Sequence, residues 1–214
     1  AGFGCSGVDS FWATDAQTLY MGGADLLTMK SMDGGVNWDV LIPNSSYGCM
    51  ESIFFTDHST GYFAGGGWAQ GNTFTFFAKI VDGGVTRTST LLNLGKWLSC
   101  VFFTDSNIGY ITALDGSILK TMDAGDHWTS LNSGVNSALT SIFFTDSITG
   151  YVAGRSGIIL KTTNGGLNAS GPDVMNKSVQ IYPNPVTDIL MVDLSYQPQG
   201  KSNIQIYNIS GQLI

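Results

Sequence analysis

Carboxylates are the commonest reactive groups in this sequence, and nearly all are aspartate: fifteen Asp against one Glu, Glu51, with two His, three Cys and two Arg. A pair of carboxylates could hydrolyse a glycosidic bond. Seven of the Asp, however, recur at equivalent points of an internal repeat, four in Thr-Asp pairs and three in Gly-rich turns. The remainder, Asp9, Asp25, Asp39, Asp115, Asp126, Asp173, Asp188 and Asp193, form no motif. His58 and His127 stand singly in or beside turns, which reads as surface placement rather than zinc ligation. No Gly-x-Ser-x-Gly elbow, Gly-rich phosphate loop or Cys-x-x-Cys pair occurs. The sequence therefore predicts no catalytic group, no metal site and no cofactor.

The repeat is set by Thr14-Asp15, Thr56-Asp57, Thr104-Asp105 and Thr145-Asp146, at intervals of 42, 48 and 41 residues. A Tyr follows each Thr by six: Tyr20, Tyr62, Tyr110 and Tyr151. A Lys follows the Tyr by ten in three copies (Lys30, Lys120, Lys161), and Lys79 comes seven residues late in the second. Three residues after each Lys stands Asp33, Asp82, Asp123 or Asn164. Short β-rich runs such as Ser-Ile-Phe-Phe-Thr (52–56 and 141–145) alternate with polar turns, and no segment holds a 3.6-residue period. Four short strands per copy predict an all-β chain of propeller blades, in which each sheet buries its faces against its neighbours. The fourth copy stops after its turn: either residues 1–8 supply its outer strand and close a four-blade ring, or the chain is part of a larger propeller.

Ser31-Met-Asp33-Gly-Gly35-Val-Asn-Trp38 and Thr121-Met-Asp123-Ala-Gly125-Asp-His-Trp128 resemble the Asp-box of sialidases and other propellers; Asp82 and Asn164 sit in weaker copies without the aromatic. The chemistry is that of a turn: Asp accepts backbone N–H bonds, Gly takes positive φ and Trp packs back. Loss of Trp38 or Trp128 is expected to cost about 3–5 kcal/mol as a core truncation, measured by denaturant unfolding. The resemblance is to propellers of the photosystem II assembly factor type, over residues 8 to 170. It implies that each box joins the third and fourth strands, away from the ligand face. A sialidase needs three arginines and a Tyr/Glu pair, and only Arg87 and Arg155 are present, so that activity is excluded. The seven extra residues of copy two fall in a Gly-rich loop, 65–74, that carries Trp68, Gln70 and Asn72. With Asp25, Asp115 and Arg155 in the equivalent short loops, they form the expected ligand face, where an aromatic stacks on a sugar ring or partner surface.

Beyond residues 1–170, positions 171–177 read as a linker and 178–214 as a second module. Tyr182-Pro183-Asn184-Pro185 and the later Ile204-Gln-Ile-Tyr-Asn-Ile-Ser-Gly211-Gln resemble the C-terminal sorting domain of type IX secretion in Bacteroidetes, a small β-sandwich of which this chain holds about the first half. That resemblance implies handling by the type IX machinery, with Tyr182 to Pro185 as an address feature, and a secreted or outer-membrane-surface location on a Gram-negative cell.

Bulk properties agree. Net charge is −7 and charged residues are 12 %, with lysines scattered singly, which argues against nucleic acid. No run of 18 apolar residues spans a membrane. Opening on Ala1 rather than Met suggests a processed or partial sequence. A Cys5–Cys49 disulfide is compatible with the count, whereas Cys100, set at the repeat position of Phe11, Ile53 and Ile142, is expected as a buried thiol. The expected function is a non-enzymatic secreted binding or adhesion propeller whose ligand is an extracellular glycan or surface protein. The alternatives are a piece of a secreted glycoside hydrolase and a structural subunit of a surface assembly.

Overall fold

Each Thr-Asp pair turns one strand back on the next, and the geometry is the same in all four copies. In the first, Asp15 Oδ1 accepts the N–H groups of Gln17 and Thr18, both at 2.8 Å. Asp57, Asp105 and Asp146 do the same for the residues that follow them. These side chains stand in for missing backbone partners, which is why Asp recurs there.

In a computed structural model, residues 7–42, 48–69, 71–86 and 94–166 are described, together with the backbone of 87–90, 173–174, 179–182 and 191–194. Four antiparallel sheets of four strands follow one another. The first contains β1 (Val8–Ala13), β2 (Leu19–Gly23), β3 (Thr28–Ser31) and β4 (Asp39–Ile42). The second contains β5 (Gly48–Phe55), β6 (Gly61–Ala69), β7 (Asn72–Val81) and β8 (Thr86–Thr90). The third contains β9 (Leu98–Phe103), β10 (Gly109–Ala113), β11 (Ile118–Thr121) and β12 (Thr129–Leu131). The fourth contains β13 (Leu139–Phe144), β14 (Gly150–Gly154), β15 (Ile159–Thr162) and β16 (Asp173–Val174). This is the propeller blade, in sequential strand order, four times. The chain divides into two compact units, 1–175 and 176–214. In the second, β17 (Val179–Tyr182) pairs antiparallel with β18 (Met191–Leu194).

Three expectations are corrected. The outer strand of the fourth blade is β16, whose Asp173 and Val174 pair with Lys161 and Leu160, so it comes from the stretch read as linker. Val8 instead opens the inner strand of blade one. The seven extra residues of copy two are not a loop: they lengthen β6 and β7 together into a paired ribbon that ends at Ala69↔Asn72. Lys79 therefore still pairs with Tyr62, as Lys30 does with Tyr20, Lys120 with Tyr110 and Lys161 with Tyr151. Cys100 pairs with Thr112 and shares its register with Ser10, Ser52 and Ser141; the residue equivalent to Ile53 is Val101. Cys100 is half-buried and free, and burial pushes its thiol up.

The core lies between blades rather than within them. Tyr20, Leu26 and Ile42 of blade one pack with Ile53, Phe55 and Phe63 of blade two. Tyr62 and Phe77 of blade two pack with Val101, Phe103 and Ile111 of blade three. Tyr110 and Ile118 pack likewise with Ile142, Phe144 and Leu160 of blade four. Along each inner strand, the residue two before the Thr faces the next blade, producing an aromatic series: Trp12 lies 5.0 Å from Phe54, Phe54 5.3 Å from Phe102, and Phe102 5.5 Å from Phe143.

The repeat markers meet at these interfaces. The Tyr20 hydroxyl and the Lys30 ammonium both donate to the Gly83 carbonyl, in the box of blade two. The Tyr62 hydroxyl donates to the Ala124 carbonyl in the box of blade three. Tyr110 and Lys120 both donate to the Gly165 carbonyl of blade four, at 2.9 and 2.8 Å. Each blade thus clamps the box of the next. Burial, the main cause, pushes the Tyr62 and Tyr110 hydroxyls up to about 12. A raised folded-state value favours the neutral hydroxyl, so this contribution is whole below the ordinary value of 10 and is lost as pH rises towards 12. Alkaline titration is expected to show the phenolate absorbance of these two tyrosines only together with loss of β circular dichroism. Ionisation of all tyrosines near 10 with the fold intact would contradict it.

Candidate functional site

Strands alternate in direction, so Thr-Asp turns and boxes share one end of the blades, and the hairpins between second and third strands share the other. At the box end, Asp33 Oδ1 accepts Asn37 N–H and Ser31 Oγ–H at 2.8 Å each, and Trp38 Nε1–H donates to Gly35 O at 3.0 Å. Asp123 accepts from Thr121 Oγ1 and His127 N–H, while Trp128 Nε1–H donates to Gly125 O at 3.1 Å. Asp82 holds Thr86 N–H in the same way. The His127 backbone N–H and then its ring hold the Asp123 carboxyl down at about 2. These carboxylates are occupied in building turns. The two tryptophans differ in their neighbours. Trp128 packs edge-on against Phe77, 5.3 Å away in the preceding blade, whereas Trp38 has no such ring partner among the described residues. The larger cost is expected for Trp128.

At the hairpin end the chain is tied down. Ala24 N–H donates to Gly7 O, Leu114 N–H to Trp97 O and Arg155 N–H to Ala138 O, at 2.8–3.0 Å. Asp25, Asp115 and Arg155 are therefore brought to one face, and all three are exposed. Asp25 and Leu26 take left-handed φ of 56° and 58°, and the fully buried Leu26 anchors that turn. Asp115 forms an ion pair with Lys96, which also donates to Ser117 Oγ at 2.7 Å. Burial works to raise the Asp115 carboxyl; the bonds from Lys96 and Ser117 outweigh it and bring it below the usual range.

Trp68 projects from the ribbon on the same face and is 58 % exposed. The run Gly65-Gly66-Gly67 reads as a loop in sequence but lies buried inside β6. A Cβ on Gly66 would meet Phe74 O at 2.7 Å and Trp97 Cα at 2.9 Å, so glycine is required by close backbone approach. Asn72 is exposed at the ribbon tip. Gln70 lies outside the described residues, as do Cys5, Pro183, Asn184 and Pro185. Tyr182 closes β17, and Cys49 is bonded in a disulfide.

One set of residues on this face carries no sequence motif of its own. Every inner strand has a β-bulge near its start, and the extra residue is polar each time: Asp9, Glu51, Ser99 and Thr140. Each stands five residues before the repeat Thr, and that spacing is the signal that finds them. Glu51 accepts the Trp97 Nε1–H at 2.9 Å. Burial, and secondarily the charge of Asp9, pushes its carboxyl up. Ser99 donates to Leu139 O at 2.6 Å. Among the described residues, no group of three His, Cys, Asp or Glu could hold a metal ion.

Residues 86–189 match the family described as photosynthesis system II assembly factor YCF48, and residues 180–214 match the secretion system C-terminal sorting domain. The chain thus resembles YCF48 over residues 86–189 and ends in a secretion sorting domain. Two solved structures share the blade arrangement. One, titled YCF48 bound to D1 peptide, is 17 % identical with a TM-score of 0.58, over 82 % of this chain and 57 % of that one. The other, YCF48 from Cyanidioschyzon merolae, is 17 % identical with a TM-score of 0.52, over 78 % and 56 %. The chain thus spans just over half the length of either. No curated protein sequence is significantly similar to it. The sorting domain directs export through type IX secretion, so the protein is secreted or held at the cell surface. Among the described residues, no helix is long and apolar enough to cross a membrane.

Proposed function

We propose that this protein is a non-enzymatic binding or adhesion module working outside the cell, with the hairpin end of its blades as the ligand face. The observation that carries this reading is Trp68, a large aromatic exposed at the tip of a paired, glycine-locked ribbon. A ring held on regular strands loses little conformational freedom on binding, and it stacks well on a sugar or an apolar side chain. Asp25, Asp115 and Arg155 supply polar contacts around it, and the bulge residues Asp9 and Glu51 add acceptors nearer the inner strands. The ligand is an extracellular glycan or a segment of a surface protein; the YCF48 structure titled as bound to D1 peptide supports the protein segment.

The test is binding of the purified chain to a glycan array and to an array of extracellular peptides, repeated with Trp68→Ala. Loss of one exposed aromatic anchor is expected to weaken binding by about tenfold to a hundredfold, with the melting temperature unchanged. Binding that survives the substitution would remove Trp68 from the site. Release of new reducing ends from a bound glycan would overturn the non-enzymatic assignment.

A further inference from the structure

A second tryptophan lies on the face of the ribbon that carries Trp68. Alternate residues of a strand share a face, so Gly66 and Trp68 point the same way, about 7 Å apart along β6. Over Gly66 lies Trp97: a Cβ on Gly66 would meet Trp97 Cα at 2.9 Å and its Cγ at 3.3 Å. Trp97 is half-buried and donates Nε1–H to Glu51 Oε1 at 2.9 Å. Among the described residues, nothing donates to the second oxygen of that carboxylate. The preceding residue, Lys96, is tied to Asp115 and to Ser117 Oγ in blade three. Two indole rings and a half-buried carboxylate are thus joined in one corner between the ribbon and blade three.

The charge around this corner is one-sided. Lys30, Lys79, Lys120 and Lys161 stand opposite the repeat tyrosines, beside the boxes at the other end of the blades. Arg87 pairs with Ile80, next to the box of blade two. The hairpin end holds Lys96 and Arg155 against Asp9, Asp25, Glu51 and Asp115. Residues 1–6, 43–47, 70 and 91–93 contain no Lys, Arg or His. Lys96 neutralises Asp115. Asp9 and Glu51, the bulge residues of neighbouring inner strands, form no ion pair among the described residues. Burial and then the Asp9 charge raise the Glu51 carboxyl, as for a carboxylate with no cation beside it.

We infer that the ligand of the hairpin end is a basic, extended segment of an extracellular protein, with one Lys or Arg laid on Trp68 and a second received by Glu51. This rests on the hairpin end being the ligand face. Alternate residues of an extended segment lie about 7 Å apart on one side, which matches the step along β6 from Trp68 to the residue that Trp97 covers. A cation over an indole face is attracted by the ring quadrupole. The Glu51 carboxylate is already held by Trp97, so it accepts a charge-assisted hydrogen bond without reordering. A neutral sugar would use the ring and leave the charge unmatched, and an anionic polysaccharide would be repelled.

Fluorescence anisotropy of the full chain tests this with three labelled probes: a peptide of alternating Arg and Ser, its Glu-for-Arg counterpart, and a neutral glucan oligosaccharide. The Arg-Ser peptide is expected to bind tightest, by about tenfold or more over the other two. Glu51→Gln keeps an oxygen for Trp97 Nε1–H and removes only the charge. It is expected to weaken the Arg-Ser peptide by about tenfold with the melting temperature unchanged, and less so at high salt. Trp68→Ala is expected to weaken the same peptide by about tenfold or more. Asp39→Asn, which removes an exposed carboxylate at the box end, is expected to leave the affinity as it is. An Arg-Ser peptide that does not bind, tighter binding of either other probe, or a Glu51→Gln protein that binds like the native one would overturn the basic ligand. In each of those cases the hairpin-end reading stands if Trp68→Ala still weakens the probe that binds, and falls if it does not.

Discussion

Replacing Tyr110 with Ala is expected to cost about 4 kcal/mol of stability, in the range for truncating a buried aromatic. The side chain is 1 % exposed and stacks on Phe144 with ring centres 4.2 Å apart. Its hydroxyl donates to the Gly165 carbonyl, and Lys120, itself buried, donates to the same oxygen. The truncation therefore empties a ring-sized space between blades three and four and leaves Lys120 to hold the box alone. Tyr110→Phe separates the two effects: it keeps the ring and removes one hydrogen bond, for about 1 kcal/mol. Against a total stability of about 5–15 kcal/mol, the first change is severe and the second is tolerated. Urea unfolding of the two variants checks both. Equal costs would mean that the hydroxyl, not the stacked ring, carries the interface.

The phase of the repeat, the strand count per blade and the turn chemistry of the boxes were legible in the sequence because each is local: the residues involved lie within a few positions of one another. Tyr, Lys and box were visible as markers, but their meeting was not. Tyr20 and Gly83 are 63 residues apart, and nothing in a repeat spacing says that one copy grips the next. The glycines of the ribbon misled for a related reason. A run of three Gly reads as a loop by propensity, yet here it permits the close approach of Phe74 and Trp97, residues that only the fold brings near. Cys100 was misplaced by a single position, and in a strand one position reverses the face. Of the proposed ligand face, Trp68, Asp25, Asp115 and Arg155 follow from loop equivalence. Asp9 and Glu51 share a fixed spacing to the repeat Thr, but a β-bulge leaves no propensity signal, so what that spacing means shows only when the register is known.

The register also exposes a compensated pair that yields the second large effect. In three blades the residue before the Thr is Phe and its cross-strand partner is Gly: Phe55↔Gly61, Phe103↔Gly109 and Phe144↔Gly150. In blade one the pair is reversed in size, Ala13↔Leu19. A Cβ on Gly109 would lie 2.5–2.7 Å from three atoms of the Phe103 ring, so the ring occupies the volume a side chain would need. Gly109→Leu is therefore expected to cost about 3 kcal/mol or more by overpacking against a ring already wedged on Tyr62, 3.9 Å away. Phe103→Ala alone is expected to cost about 3–5 kcal/mol through the cavity it leaves. Combined, they rebuild in blade three the arrangement that blade one already uses. The double variant is thus expected to be more stable than the sum of the single costs predicts, with a coupling of about 2 kcal/mol between directly contacting sites. Chemical unfolding of the four proteins in the cycle measures it. Additive costs would mean that Leu19 and Ala13 suit only the particular packing of blade one and are not an interchangeable solution to the same problem.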